Sequence, residues 1–335
     1  MANPVQSSQP YKSKSTLHVS PGDDLTTQSD RSLWLAFALM VAFFTIAPIW
    51  VYPIFLMKVM CFALFACAFN LLLGFGGLLS FGHAMFLGIA GYGAAHAAKV
   101  WGWNPEIAIL FGAVCSTALS AVVGSLAIRR QGIYFAMITL ALAQMIFFFC
   151  LQAPFTGGED GIQGVPRGRL FGVIDLGDNQ RMYMFVLTVF IAGFLFVWRV
   201  VQSPFGQILK AIREHQDRAT SLGYDTDRFK LLAFVISGAL AGTAGAMKSL
   251  VFQLASLTDV HWSMSGEVVL MTLVGGMGTL FGPVVGAAVI VTMQNYLAQL
   301  GAWVTVVQGV IFVVCVLAFR RGIIGELSNM LKKPL

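Results

Sequence analysis

The sequence predicts an all-α polytopic membrane protein of about ten transmembrane helices with a glycine-rich internal pseudo-repeat. Three observations carry that prediction: the scarcity of charge, the length of the apolar runs, and the bias of Lys and Arg toward alternate connections. Of 335 residues, 57% are hydrophobic and 11% are charged, where soluble domains carry roughly 25% charged residues. So few charges cannot cover a water-facing surface, and lipid must be the main solvent. The 15 carboxylates avoid the middles of the apolar runs, and the nearest, Glu106 and Glu267, stand at run edges. Cys61, Cys67, Cys115, Cys150 and Cys315 all lie inside apolar stretches. They read as small hydrophobes, with neither a disulfide framework nor metal-ligand spacing.

A bilayer core takes about 20 apolar residues per helix, fewer where a segment is broken. Runs of that order occupy 33–51, 59–79, 84–98, 107–128 and 133–151, then 182–200, 231–252, 268–280, 284–300 and 304–319. Residues 1–32 are rich in Ser, Thr and Gln, too long and polar for a cleaved signal segment. They read as a disordered cytoplasmic tail, with the first span as an uncleaved anchor. Placing that tail inside puts 15 of the 21 basic residues on the cytoplasmic side, including Arg129, Arg130, Lys210, Arg213, Arg218, Arg228, Lys230, Arg320 and Arg321. Lys58, Lys99, Arg167, Arg169, Arg181 and Lys248 fall outside or near the outer edge. Cytoplasmic loops accumulate Lys and Arg, so both termini are expected inside. Trp50, Tyr52, Trp101, Trp103, Trp262 and Trp303 collect at the expected outer interfaces. The chain then divides into the tail, a transmembrane domain over 33–319 and a cytoplasmic C-terminal segment over 320–335.

Two of the runs are short and glycine-laden. One follows Gly76-Gly77-Leu78-Leu79-Ser80-Phe81-Gly82, and the other contains Gly275-Gly276-Met277-Gly278-Thr279-Leu280-Phe281-Gly282. Short, Gly-interrupted segments in two halves of a chain mark a transport pathway built on an internal repeat. Close helix packing through small residues accounts for the same pattern. The charge bias survives only if both segments cross. Among mid-span polar groups, Asn70, Gln144, Gln294 and Asn295 are the candidates to line a path, with Gly76, Gly77, Ser80, Gly275, Gly276 and Thr279 around the glycine runs. Helix–helix hydrogen bonding is the alternative account of the amides.

Two connections carry further information. The outside loop 152–181 contains Thr156-Gly157-Gly158-Glu159-Asp160-Gly161, a glycine–carboxylate turn that reads as an external docking or gating surface or as a solvated connection. The inside loop 201–230 opens with Ser203-Pro204-Phe205-Gly206 and runs helically, with Ile208, Ala211 and Ile212 on one face. Beyond it, Glu214, Asp217 and Arg218 flank apolar Ala219 and Leu222, and Gly223 ends the segment as a C-cap. Mixed charge favours a helix pressed into a partner protein over one lying in the lipid interface.

No phosphate-binding Gly-x-x-x-x-Gly-Lys-Ser/Thr, His-Glu-x-x-His or Gly-x-Ser-x-Gly motif occurs. No carboxylate or His in mid-membrane suggests a proton-coupled carrier, and His83 reads as a capping or packing residue. No catalytic residue, metal site, cofactor or nucleic-acid partner is expected.

Several motifs in order resemble branched-chain amino acid importer permeases of the LivM type. They are Gly77 to Ala84, Gly132 to Met137, Thr156 to Gly161, Ser203 to Gly206, Lys230 to Gly242, and Gly266 through Pro283. The resemblance covers residues 33 to about 325. It implies an entirely helical subunit of the bacterial inner membrane. Its partners would be a second homologous permease, two cytoplasmic ATPase subunits and a periplasmic substrate-binding protein. It also makes Glu214, Asp217, Arg218, Ala219, Leu222 and Gly223 the coupling segment, although Asp217-Arg218-Ala219 stands where the family has a plain Glu-Ala-Ala. Urea, amides or other amino acids as substrate, and a stand-alone carrier, are the competing readings.

Overall fold

The computed structural model describes residues 23–297 and 322–331, together with 306, 307, 309, 310 and 313. The helices are α1 (Asp23–Ile46), α2 (Pro53–Asn70) continued by a π-helical turn (Leu71–Phe75), α3 (His83–Lys99), α4 (Pro105–Ala127), α5 (Ile133–Gln152) and α6 (Asn179–Gln202). After two short helices, α7 (Pro204–Glu214) and α8 (Gln216–Ser221), come α9 (Thr226–Phe252), α10 (Trp262–Gly275), α11 (Gly282–Leu297) and α12 (Gly322–Leu331). Each of the first nine predicted spans coincides with a helix. Pro53–Phe75, Pro105–Ala127, Ile133–Gln152, Asn179–Gln202 and Thr226–Phe252 are long and apolar enough to cross a membrane. The tenth predicted span, 304–319, lies almost wholly outside the described residues, as do Cys315, Trp303 and residues 1–22.

Helical structure extends into both terminal segments. Helix α1 begins at Asp23 rather than near Leu33, so it runs back into the expected tail. The C-terminal segment is also helical over α12, where Ile324 is buried against the bundle.

Helices α2 and α9 form the centre and run antiparallel. Lys248 of α9 lies over the Phe62 ring of α2, and further along Ser237 donates to the Ala68 carbonyl. Helices α3 and α4 pack on α9, whereas α10 and α11 pack on α2. The α4–α9 seam is a run of small residues at four-residue spacing. Gly112, Ser116, Ser120 and Gly124 meet Ala246, Gly242, Gly238 and Phe234 in turn, and the Ser116 hydroxyl donates to the Gly238 carbonyl at 2.8 Å. Without a hydrophobic drive between helices in lipid, such close approach supplies the dispersion that holds them together. The outward side of α4 is correspondingly apolar and exposed at Leu110, Val114, Val122 and Leu126.

The two halves share one plan: a long helix, an extended return into the bundle, a short helix, and a second helix folded back on it. In the first half these are α2, residues 76–82, α3 and α4. In the second they are α9, residues 253–261, α10 and α11. Because α2 and α9 are antiparallel, the second half is inverted relative to the first, and each half's short helix packs on the other half's long one. Helix α3 therefore begins at the buried His83, and α10 begins level with the middle of α3, where Val260 packs on Gly88, although Trp262 and Ser263 are exposed. Gly245, seven residues before the end of α9, faces the Leu87 carbonyl, and the Ala84 N–H donates to Ser265 Oγ of α10 at 2.9 Å. Gly245 lies about 10 Å from the end of α9 at 1.5 Å per residue.

The two glycine-rich runs hold different places in this plan, since 76–82 precedes α3 while 275–282 follows α10. They are nevertheless neighbours in space.

Candidate coupling and translocation site

The neighbourhood is built around Asn70, the last α-helical residue of α2. Its side chain is 2% exposed. Asn70 Nδ2 donates to the Thr279 carbonyl at 2.8 Å, and Asn70 Oδ1 accepts from the Gly278 N–H at 2.9 Å. One amide thus satisfies a donor and an acceptor of the turn after α10. The π turn that follows Asn70 widens the helix there, a distortion often found at functional positions. Gly77 then closes α2 with φ +70°, while the Leu78 N–H reaches the Leu72 carbonyl at 3.1 Å.

Glycine is required where the two turns meet. A Cβ on Gly74 would stand 2.6 Å from the Gly278 nitrogen and would overlap the Asn70 side chain. Gly276 and Gly278 adopt φ +118° and +79°. Thr279 completes the turn, its hydroxyl donating to the Gly276 carbonyl at 2.7 Å and accepting from the Gly282 N–H at 3.1 Å. Gly275 packs directly on Gly282, and Gly322 of α12 packs on Gly276. Among the expected path residues, the structure brings Asn70, Gly275, Gly276 and Thr279 together, with Gly76 and Gly77 adjoining.

Ser80 and Gln144 do not join them. Ser80 is fully buried and accepts from the Gly82 N–H at 3.3 Å, stabilising the extended return. Gln144 is half-buried on α5, with no side-chain hydrogen bond among the described residues. His83 begins α3 inside a cage of Phe65, Phe69, Phe86 and Phe234. Its Nε2 lies 2.7 Å from Ser237 Oγ, whose proton goes to the Ala68 carbonyl, so His83 is the donor. That is a packing role, as the sequence suggested.

Helix α7 grips the same junction. Its N-terminus is capped by Ser203, which accepts from the Gly206 N–H, and it seats Leu209 and Ile212 in the core. One turn on, the Arg213 guanidinium donates to the Gly74 carbonyl, and its methylene stem covers Gly77. Lys210 lies 5.5 Å from the centre of the Phe75 ring. Arg213 was missed by sequence reasoning, because its partner is a backbone carbonyl 139 residues away. Only its place among residues on an otherwise apolar helix face could have drawn attention to it.

Helix α8 continues outward. Ala219 is buried, while Glu214, Asp217, Arg218 and Gly223 are exposed and Leu222 is 72% exposed. The expected common face of Ala219 and Leu222 is therefore split, because Ala219 seats the helix and Leu222 projects from it. Gly223 has φ +89°, and a Cβ there would meet open space, which agrees with the expected C-cap. Lys230, buried at the start of α9, donates to Gln216 Oε1 and ties α8 down.

At the opposite end of the bundle the loop after α5 is ordered. Strand β1 (Ile162–Gln163) pairs antiparallel with β4 (Leu254–Ala255), and β2 (Arg169–Leu170) pairs with β3 (Ile174–Asp175). Thr156 is buried, its hydroxyl donating to the Cys150 and Ala153 carbonyls at 2.5 and 2.6 Å. It caps the turn rather than presenting itself for docking. Gly157, Gly158 and Gly161 have positive φ, Gly161 packing on the Ala255 carbonyl, which leaves Glu159 and Asp160 as the exposed members.

The sequence comparisons fit this architecture. Residues 52–316 match the family model described as the branched-chain amino acid transport system permease component. The high-affinity branched-chain amino acid transport system permease protein LivM of Salmonella typhimurium is 23% identical, over 96% of this chain and 83% of its own length. The protein of that name from Escherichia coli is also 23% identical, over 82% of this chain and 70% of its own. The ribose import permease protein RbsC of Bacillus subtilis is 26% identical over 66% of this chain and 70% of its own. No solved structure gives a significant match. The chain belongs to the permease-component family of the branched-chain amino acid transport system.

Proposed function

We propose that this permease component moves branched-chain amino acids across a bacterial inner membrane as one subunit of an ATP-driven importer. The observation that carries the proposal is the contact of α7 with the paired glycine turns. Arg213, Lys210 and Leu209 link an exposed surface element directly to the turns that end α2 and α10. A push on α8 at Leu222 or Gly223 would travel through this rigid helix to the ends of both halves, and rocking of inverted halves is a general route to alternating access.

In this reading the basic face, with Arg129, Arg130, Arg213, Arg218 and Arg228, is cytoplasmic, and both termini lie there. Glu214, Asp217, Arg218, Leu222 and Gly223 contact one of two ATPase subunits, and a second homologous permease completes the path. Asn70, Gly76, Gly77, Gly275, Gly276 and Thr279 form its inner gate. Glu159 and Asp160, beside Gly157 and Gly161, meet a periplasmic binding protein at the opposite face.

The chain is reconstituted with its candidate partner permease, ATPases and binding protein, and labelled leucine uptake is measured with and without ATP. ATP-dependent leucine uptake lost on omitting this chain is the expected result. ATP-dependent uptake of ribose, urea or an amide instead would keep the importer and replace the substrate. Uptake by this chain alone, indifferent to ATP, would overturn the proposal.

A further inference from the structure

A cavity of about 520 Å³ opens among α2, α9, α10 and α11 toward the 254–259 segment, within the size range of small-molecule sites. Four ionisable side chains line it: Lys58, Lys248, Asp259 and Glu267. Phe62, Phe252 and Met264 supply apolar wall. Glu267 stood at the edge of an apolar run and so was expected at the membrane rim. The structure corrects that expectation. Helix α10 starts level with the middle of α3, and Glu267 lies two residues beyond the Ser265 that bonds to Ala84.

The four charges are not equivalent. Lys248 and Asp259 form an ion pair, their side chains only 15% and 11% exposed, and Lys248 also lies 5.5 Å from the centre of the Phe62 ring. Both are committed to holding the 254–259 segment against α9. Lys58 and Glu267 are half-buried and form no close ion pair among the described residues; they attract each other across the cavity, and the Gln294 amide neighbours the Glu267 carboxylate. Ionisable groups at membrane depth are costly and are kept where they serve a pathway. One ammonium and one carboxylate that face each other on a cavity part-walled by Phe62, Phe252 and Met264 match a ligand with the opposite pair.

We infer that this cavity binds a zwitterionic α-amino acid with an aliphatic side chain. Glu267 accepts from the ligand ammonium, Lys58 donates to the ligand carboxylate, and the aliphatic group lies against Phe62, Phe252 and Met264. A sugar or urea would bring no charge to either group. A fatty acid would offer Glu267 no donor and place a second anion against it. The inference deepens the proposed importer function by naming residues that select the substrate class.

The test is equilibrium binding to the purified full chain in nanodiscs, followed by saturation-transfer NMR without ATP or partner subunits. The probes are leucine, 4-methylpentanoate, which lacks the ammonium, and 3-methylbutylamine, which lacks the carboxylate. The wild-type chain should prefer leucine to both. Glu267→Gln and Lys58→Gln should each weaken leucine binding about tenfold or more, the expectation for losing a charge-assisted hydrogen bond. Glu267→Gln should also narrow the gap between leucine and 4-methylpentanoate. Arg181→Gln, which removes an exposed charge elsewhere, should change nothing. Melting curves identify variants that fail to fold, and Glu267→Asp, which keeps the charge, should retain most binding.

No preference for leucine in the wild type, or undiminished binding by folded Glu267→Gln and Lys58→Gln, would overturn the inference. Binding is read apart from transport, so the two proposals fail separately. Leucine binding without ATP-driven uptake would remove the importer reading alone. ATP-driven leucine uptake indifferent to both substitutions would remove the binding site alone.

Discussion

Replacing Asn70 with Leu tests whether the junction between the two halves is a specific clasp or only close packing. Leu keeps the number and branching of the Asn side-chain heavy atoms, so the shape is retained although the two methyls are bulkier. Two hydrogen bonds are lost, one from Nδ2 to the Thr279 carbonyl at 2.8 Å and one from the Gly278 N–H to Oδ1 at 2.9 Å. Asn70 is 2% exposed, so water cannot readily replace it. An orphaned buried backbone group costs about 1–3 kcal/mol, whereas single polar contacts between membrane helices average about 0.6 kcal/mol. The upper range applies here because both orphans are backbone groups of one tight turn, which cannot rotate to other partners. The expected loss is roughly 2–4 kcal/mol, or an apparent melting shift of about 3–6 °C for a chain of this size.

The assay is the thermal unfolding of purified protein in a fixed detergent, with leucine uptake by the reconstituted complex measured alongside. An Asn70→Leu protein with unchanged melting and uptake would refute the clasp. The glycine turns would then meet only because small residues pack closely.

Three further substitutions address the other contacts. Arg213→Ala removes the guanidinium from the Gly74 carbonyl; uptake should fall at least tenfold while the partner ATPases still hydrolyse ATP, and parallel loss of both activities would contradict a coupling role. Gly223→Arg should preserve membrane insertion and abolish uptake, because φ +89° strains any L residue by about 1–2 kcal/mol and the new side chain stands in the docking surface. Gly223→Asn, which tolerates positive φ better, should retain more activity, and normal uptake by Gly223→Arg would sink the coupling assignment. Thr156→Val should lower melting by about 1–2 °C, about 1 kcal/mol for the lost hydroxyl bonds, without altering affinity for the binding protein. Glu159→Lys with Asp160→Lys should weaken that affinity at unchanged melting, and the reverse pattern would show the loop to be structural throughout.

Much of this protein was legible in the chain itself. Lipid as solvent, nine helix positions and the turn-forming role of Gly223 follow from charge scarcity, apolar run length and backbone freedom, all of which are local properties. Asn70 stood out because an amide in hydrocarbon must find a partner somewhere. That its partner would be the turn at Gly278 and Thr279 could not be read, since nothing local encodes a contact across 208 residues.

Arg213 counted only as one more positive charge in a basic loop, and Thr156 as a polar turn residue, until the fold showed which carbonyls they serve. Glu267 is the clearest divide. Its sequence neighbourhood placed it at the end of an apolar run, and a run's end is the membrane's edge only if the helix starts at the surface. Tertiary packing of two inverted halves starts α10 level with the middle of α3. The sequence by itself determined which segments are helical and apolar, because hydropathy acts residue by residue. The tertiary structure decided the depth of each segment and its partners, because those depend on how α2 and α9 hold the two halves together.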